Sequence, residues 1–86
     1  MHPVSYVQVD LRPSYALVHT DNGDVRLPRK FAMAVADTLL GRSAGLCSLK
    51  PVSNNAICVY WPFASMILPA VQAPVLAHLL RDWATS

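Results

Sequence analysis

Three groups of side chains in this 86-residue sequence could carry chemistry or binding. His19 stands close to Asp21 and Asp24, and a carboxylate beside an imidazole can orient a general base. The sequence places no Ser or Cys as the nucleophile that such a base would activate, so we expect no catalytic residues. The spacing of cysteine and histidine fits no zinc site, and no glycine-rich phosphate loop is present. We therefore expect neither a metal nor a cofactor.

Three basic residues, Arg26, Arg29 and Lys30, surround the predicted start of the first helix. Free N–H groups and the helix dipole favour an anion at such a position. These residues form a candidate anion or nucleic-acid contact, which Arg12 and Arg42 would extend if the fold brings them near. A solvated helix start is the alternative, because the net charge is only +2 and the chain lacks the dense basic stripe of a dedicated nucleic-acid module.

An aromatic segment, Tyr60-Trp61-Pro62-Phe63, occupies the predicted end of a strand and the turn that follows it. Exposed aromatic side chains are common anchors of protein interfaces. The tip of a turn favours exposure of Phe63, whereas Trp61 could instead point into the core. Together with Ile67 on the next strand, these aromatic residues form the candidate partner-binding set, Tyr60, Trp61, Phe63 and Ile67.

The elements that position these residues recur at an offset of 41 residues. Identical residues at this offset are Val18/Val59, Leu27/Leu68, Pro28/Pro69, Ala32/Ala73, Ala36/Ala77 and Leu39/Leu80. Such self-similarity is the sequence signature of a repeated structural unit. It indicates a duplicated β-β-β-α unit at residues 5–41 and 46–84, with a chance resemblance of two similar units as the alternative.

The first unit is predicted to contain three strands and a helix. Alternation of apolar and polar residues is typical of a strand with one wet face, and an Asp-Asn-Gly-Asp sequence is typical of a hairpin turn. Pro fits the first turn of a helix and Gly fits its end. The predicted elements are strands at Tyr6–Leu11, Tyr15–Thr20 and Val25–Leu27 and a helix from Pro28 to Leu40, ended by Gly41.

The second unit repeats this order with less regular turns. Pro51–Asn55 and Pro62–Ala64 are predicted turns by composition. Because Pro74 would disturb a helix that began at Pro69, we place the helix start at Ala73 or Pro74. The predicted strands are Leu46–Lys50, Ala56–Trp61 and Met66–Leu68, and the helix runs to Trp83 or Ala84 with Leu76, Leu79, Leu80 and Trp83 buried.

Two such units predict an α+β fold with a small antiparallel sheet of five or six strands and both helices on one face. The open face is polar in the first half, where it carries Gln8, Asp10, His19 and Arg26. In the second half the corresponding residues are Cys58, Tyr60 and Ile67, with Leu49 as a candidate neighbour. A slip of one residue in any strand would exchange its two faces.

The composition is rich in apolar residues, at 53% hydrophobic and 14% charged. Either the core is unusually rich or another molecule covers part of the apolar surface. No apolar run reaches the ~18–20 residues of a membrane span, and the first residues lack the layout of a signal peptide, so we expect a single cytoplasmic domain without a membrane. Cys47 and Cys58 are expected to be reduced thiols, with a disulfide as the alternative if one hairpin sets them opposite each other.

These features favour a small non-catalytic protein-binding domain of the adaptor, inhibitor or assembly type. It would act through the apolar sheet face and the aromatic turn. The expected partner is another protein or a second copy of the chain, and a homodimer that buries the face of Cys58, Tyr60 and Ile67 is favoured. A nucleic-acid-binding regulator that uses the basic helix start is the alternative, and its binding would weaken steeply with salt.

Overall fold

The computed structural model describes residues 6–42 and 45–86. Within these residues the chain forms six strands and two α-helices, and a short 3-10 turn precedes each helix. The first half contains β1 (Val7–Leu11), β2 (Tyr15–Thr20), β3 (Gly23–Pro28), the 3-10 turn Arg29–Phe31 and α1 (Ala32–Leu39). The second half contains β4 (Ser48–Ser53), β5 (Ala56–Trp61), β6 (Ala64–Pro69), the 3-10 turn Ala70–Gln72 and α2 (Ala73–Thr85).

The elements of the two halves correspond at the offset of 41 residues. β2 and β5, β3 and β6, and the two 3-10 turns match at both of their ends. One main-chain hydrogen bond also recurs, since the Arg29 N–H donates to the Ser14 carbonyl at 2.9 Å and the Ala70 N–H donates to the Asn55 carbonyl at 2.8 Å. This correspondence supports our proposal that a β-β-β-α unit was duplicated.

The strands form two three-stranded antiparallel sheets, in the orders β1-β2-β3 and β4-β5-β6. β3 lies beside β6 without a hydrogen-bonded ladder, so the sheets meet at these two strands. The predicted α+β class is confirmed, but the prediction of one sheet with five or six strands is wrong in this detail. Local sequence patterns specify strands and hairpins, whereas pairing between β3 and β6 depends on how closely two distant backbones approach.

A β-bulge between Pro51 and Ser53 interrupts the pairing of β4 with β5. A bulge adds one residue to one strand, so the two faces of that strand exchange on passing it. Leu49 consequently lies opposite Val59, a core residue, and shares its face. The expected position of Leu49 beside Cys58 is therefore wrong. The predicted turn at 51–55 is also too long, because β4 continues to Ser53.

A hydrophobic core unites the two halves. α1 packs against α2 and also contacts β4 and β5, which belong to the other half. Each half therefore helps to bury the apolar residues of the other. The largest fully buried side chains are Leu27, Leu68, Leu80, Val18, Val35 and Val59.

Both helices end close to their predicted positions and α2 also begins where expected, but the predicted start of the first helix at Pro28 is wrong, because Pro28 ends β3, Arg29–Phe31 form a 3-10 turn and α1 begins at Ala32. Gly41 has a φ of 83°, the left-handed conformation that commonly ends a helix. α2 starts at Ala73 with Pro74 in its first turn, where a missing N–H leaves no hydrogen bond unmade. Leu79 was expected in the buried stripe of α2, but it is 38% exposed because it lies at the margin of that stripe. The buried residues of α2 are Ala73, Leu76, Ala77, Leu80 and Trp83.

Both cysteines are free thiols. Cys58 lies opposite Lys50 in the β4–β5 ladder, so the hairpin does not set the two cysteines opposite each other. The two α-helices of the described residues have 8 and 13 residues, which is too few to span a membrane.

Candidate functional site

The outward faces of the two sheets differ in chemistry. The strand registers place Gln8, Asp10, His19, Asp24 and Arg26 on the outward face of the first sheet, together with Tyr15 and Leu17. On the second sheet, Cys58 lies opposite Ile67 and Tyr60 lies opposite Ser65. We call the outward residues of β4, β5 and β6 the second outer face; they are Ser48, Lys50, Ser53, Ala56, Cys58, Tyr60, Ser65, Ile67 and Pro69.

Cys58 and Tyr60 lie at the centre of the second outer face. Cys58 is 5% exposed although it does not belong to the hydrophobic core between helices and sheets. Its neighbours on the face therefore cover it. Tyr60 is 40% exposed and its hydroxyl is hydrogen-bonded to the Cys58 thiol. Hydrogen bonding and the electrostatic interaction with Cys58 raise the pKa of Tyr60 above its ordinary value.

Phe63 lies at the tip of the β5–β6 hairpin, and its side chain is fully exposed. Trp61 pairs with Ala64, which leaves Pro62 and Phe63 as a two-residue turn. Phe63 has a φ of 75°. Proline followed by a residue with positive φ is the pattern of a type II turn, in which glycine or asparagine is preferred at the second position. An aromatic residue here is strained as well as exposed, a combination found at functional sites.

Trp61 belongs to the core, so its place in the partner-binding set requires correction. Successive residues of a strand point to opposite faces, and Trp61 therefore points away from Tyr60. It is 3% exposed and packs among the core residues of both halves. Its Nε1–H is buried and has no hydrogen-bond partner among the described residues.

Arg29, a member of the candidate anion contact, lies at the end of α2. Its guanidinium donates hydrogen bonds to the main-chain oxygens of Trp83 at 2.8 Å and Ser86 at 2.9 Å. A third bond, at 3.0 Å, goes to the carbonyl of Pro13. A cation at a helix C-terminus is favoured by the helix dipole. Both terminal nitrogens of Arg29 therefore form hydrogen bonds within the chain.

The other basic residues do not converge with Arg29 on one anion. The Arg26 guanidinium lies 4.3 Å from the ring centroid of Tyr15, on the outward face of the first sheet. The Lys30 ammonium lies over the ring of Phe31 at 5.2 Å. Arg12 and Arg42 were considered as extensions of the candidate anion contact. Arg12 forms an ion pair with Asp10, and Arg42 forms one with Asp37.

His19 and Asp24 form the pair considered as an oriented base. The His19 Nδ1 lies 2.7 Å from a carboxylate oxygen of Asp24, and both residues are near the surface. The strand residues directly opposite His19 are Gln8 and Asp24. Neither of these two side chains is a nucleophile, and the contact of His19 with Asp24 is a hydrogen bond at the surface.

Exposed apolar residues are concentrated in the second half, and sequence reasoning missed part of this set. Val71, Val75 and Leu79 follow one another at intervals of four residues along the outer side of α2 and its preceding turn. That spacing was a readable signal, because residues four apart share one side of a helix. Among the described residues, the exposed large apolar side chains are Tyr6 and Leu11 in the first half and Leu46, Leu49, Val52, Tyr60, Phe63, Val71, Val75 and Leu79 in the second.

No protein-family model matches this chain, and no curated protein or solved structure matches it either. The function must therefore be inferred from the chain's own surfaces.

Proposed function

We propose that this protein is a small non-catalytic protein-binding domain of the adaptor, inhibitor or assembly type. Its binding surface consists of the second outer face and the Pro62–Phe63 turn. The observation that carries the proposal is Phe63, whose ring is fully exposed on a backbone with positive φ. A strained, exposed aromatic side chain adds nothing to the core, and desolvated aromatic anchors dominate the binding energy of many interfaces.

Comparison with the first half indicates which outward residues the β-β-β-α unit requires for folding. Residues 41 positions apart occupy the same place in the two units, and at three outward positions the first unit has a polar residue where the second has an apolar one. The differences at three outward positions are His19 against Tyr60, Asn22 against Phe63 and Arg26 against Ile67. The first unit folds with polar residues at these positions, so folding does not require apolar ones there. The apolar residues of the second unit therefore support a role in binding.

The chemistry of this surface also describes the expected partner. The ring of Phe63 fits an apolar pocket, and Tyr60 with Ile67 fits an apolar rim. Lys50 adds a positive charge at the centre of β4, opposite Cys58. The complementary surface is therefore a protein with an apolar pocket and an acidic residue beside it.

Capture from the native host at low and high salt tests this proposal. The bait proteins are the wild type, Phe63→Ala and the matched control Asn22→Ala, which alters the equivalent hairpin tip of the first half. We expect the wild type and Asn22→Ala to retain the same protein through a high-salt wash, because apolar contacts are not screened by salt. Phe63→Ala should lose it.

Two outcomes contradict the proposal. A partner retained equally by Phe63→Ala removes the hairpin tip from the binding site. Captured nucleic acid that salt releases, and that Arg26→Ala with Lys30→Ala abolishes, supports the nucleic-acid regulator instead.

A further inference from the structure

The outer edges of the two sheets, β1 and β4, differ in their capacity to pair with another strand. β4 carries Lys50, Pro51 and a bulge, which are features that block pairing at a sheet edge. β1 pairs with β2 in an uninterrupted register and contains neither proline nor lysine. The second sheet is thus protected at its edge, whereas no strand of residues 6–42 and 45–86 pairs with the outer edge of β1.

The main-chain groups at the open edge can be assigned from one hydrogen bond. The Arg12 N–H donates to the Tyr15 carbonyl at 2.9 Å and closes the β1–β2 hairpin. In an antiparallel ladder, every second residue points its N–H and C=O to the same neighbour. Gln8 and Asp10 therefore bond to β2, together with Arg12. The N–H and C=O groups that point to the open edge belong to Val7, Val9 and Leu11.

We propose that β1 is a dimerisation strand, which pairs antiparallel with β1 of a second copy about a two-fold axis at Val9. The two first sheets then form one continuous sheet of six strands. In this register Val9 lies opposite the partner subunit's Val9, and Val7 lies opposite the partner subunit's Leu11. Each of these pairs exchanges two main-chain hydrogen bonds, because every residue involved points its groups to the edge.

The side chains of β1 are complementary to themselves in this register. On the helix side, Val7 and Val9 are half-buried and Leu11 is 37% exposed, so they leave apolar surface for the second copy to cover. On the outward side, Gln8 lies opposite the partner subunit's Asp10, and an amide can donate to a carboxylate. All facing pairs are thus apolar with apolar or donor with acceptor.

Two registers shifted toward the end of β1 lack this complementarity. A two-fold axis at Asp10 would set that carboxylate opposite the partner subunit's Asp10, and like charges directly opposite are destabilising. An axis at Leu11 would set Val9 opposite the partner subunit's Pro13, which has no N–H to donate. The Val9-centred register avoids both defects, and its self-complementary pairs favour a second copy as the occupant of this edge.

Amide hydrogen exchange on the whole chain tests the pairing with an internal control. At low and high protein concentration, we expect the amides of Gln8 and Asp10 to be protected equally, since they bond to β2. Those of Val7, Val9 and Leu11 should gain protection as sedimentation shows the dimer forming. A monomeric mass at all concentrations overturns the proposal, as does protection of these three amides only when another protein is added.

Substitutions in β1 test the register. Val9→Pro removes a donor that points away from β2, so it should leave the fold intact and weaken the dimer roughly tenfold to a hundredfold. Gln8 faces the partner subunit's Asp10. Gln8→Lys should therefore lower the dissociation constant of the dimer, and Gln8→Glu should raise it, each by roughly twofold to tenfold. If circular dichroism shows that Val9→Pro is unfolded, the two substitutions of Gln8 test the register instead. A dimer that none of these changes affects uses another surface, and the inference is then wrong.

Discussion

The guanidinium of Arg29 donates a hydrogen bond of 2.8 Å to the main-chain carbonyl of Trp83, across 54 positions of the chain. The same guanidinium lies 5.4 Å from the ring centroid of Trp83. The Trp83 Nε1–H in turn donates to the carbonyl of Arg12 at 3.0 Å. The end of α2 is thereby fixed to the first half of the chain at two points, the β1–β2 connection and the 3-10 turn, and Arg29, which sequence reasoning placed in a binding site, makes one of these contacts.

Arg29→Ala is expected to lower the free energy of unfolding by about 1–2 kcal/mol, because hydrogen bonds from a charged donor to the carbonyls of a helix C-terminus are lost. Arg29→Lys should recover part of this loss, since it keeps the charge without the planar fork of donors. Urea unfolding measures both. The neighbouring Lys30→Ala serves as the control and should change stability by less than about 0.5 kcal/mol. Equal effects of Arg29→Ala and Lys30→Ala would show that the contact to α2 does not stabilise the protein.

The two tryptophans provide a matched pair for testing the buried hydrogen bond. Both are buried in the core, but the Nε1–H of Trp83 has a partner and that of Trp61 has none among the described residues. Trp83→Phe removes a hydrogen bond, whereas Trp61→Phe removes a buried donor that lacks one. We expect Trp83→Phe to be the more destabilising by about 1–3 kcal/mol in urea unfolding. The opposite order would mean that Trp61 has a hydrogen-bond partner in solution.

Cys47 gives a prediction about pH. Partial burial raises the pKa of its thiol, although a hydrogen bond with Thr38 opposes the shift. Since the folded pKa exceeds the unfolded one, the neutral thiol favours folding at neutral pH, and this contribution is lost as the pH rises through the raised pKa. In Cys58→Ala, where Cys47 is the remaining thiol, alkylation of the folded protein should require a higher pH than alkylation in urea. Equal pH profiles in the two states would contradict the shift.

The local elements were predictable from the sequence because their signals are local. β-branched and aromatic residues next to turn residues predicted β2 and β5, and Gly41 predicted the end of α1. The offset of 41 residues predicted the order of the elements in the second half. The helix start at Ala73 followed from the steric effect of Pro74. The placement of Cys58, Tyr60 and Ile67 on one face required only that β5 and β6 pair as a hairpin.

The remaining features depend on contacts that no local pattern records. The bulge near Pro51 reversed the expected face of Leu49, and a single inserted residue leaves no clear signal in the composition of β4. The use of Arg29 at the end of α2 depends on how the two halves pack. The strain at Phe63 was hidden because its turn could be read as three residues, Pro62–Ala64, until the pairing of Trp61 with Ala64 reduced it to two.

Phe63 provides the prediction that separates folding from binding most clearly. Phe63→Gly relieves the positive φ and should raise the free energy of unfolding by about 0.5–1 kcal/mol, whereas Phe63→Ala keeps the strain and should change it by less than about 0.5 kcal/mol.

Both substitutions remove the ring, so each should weaken partner binding by about 2 kcal/mol or more, which is roughly thirtyfold in the dissociation constant. Thermal unfolding and titration calorimetry with the captured partner measure the two effects. A more stable protein with lost affinity would show that the strained aromatic residue serves binding at the expense of stability. If Phe63→Gly instead destabilises the fold and leaves the dissociation constant unchanged, the ring contributes to the structure and the hairpin tip is not the binding site.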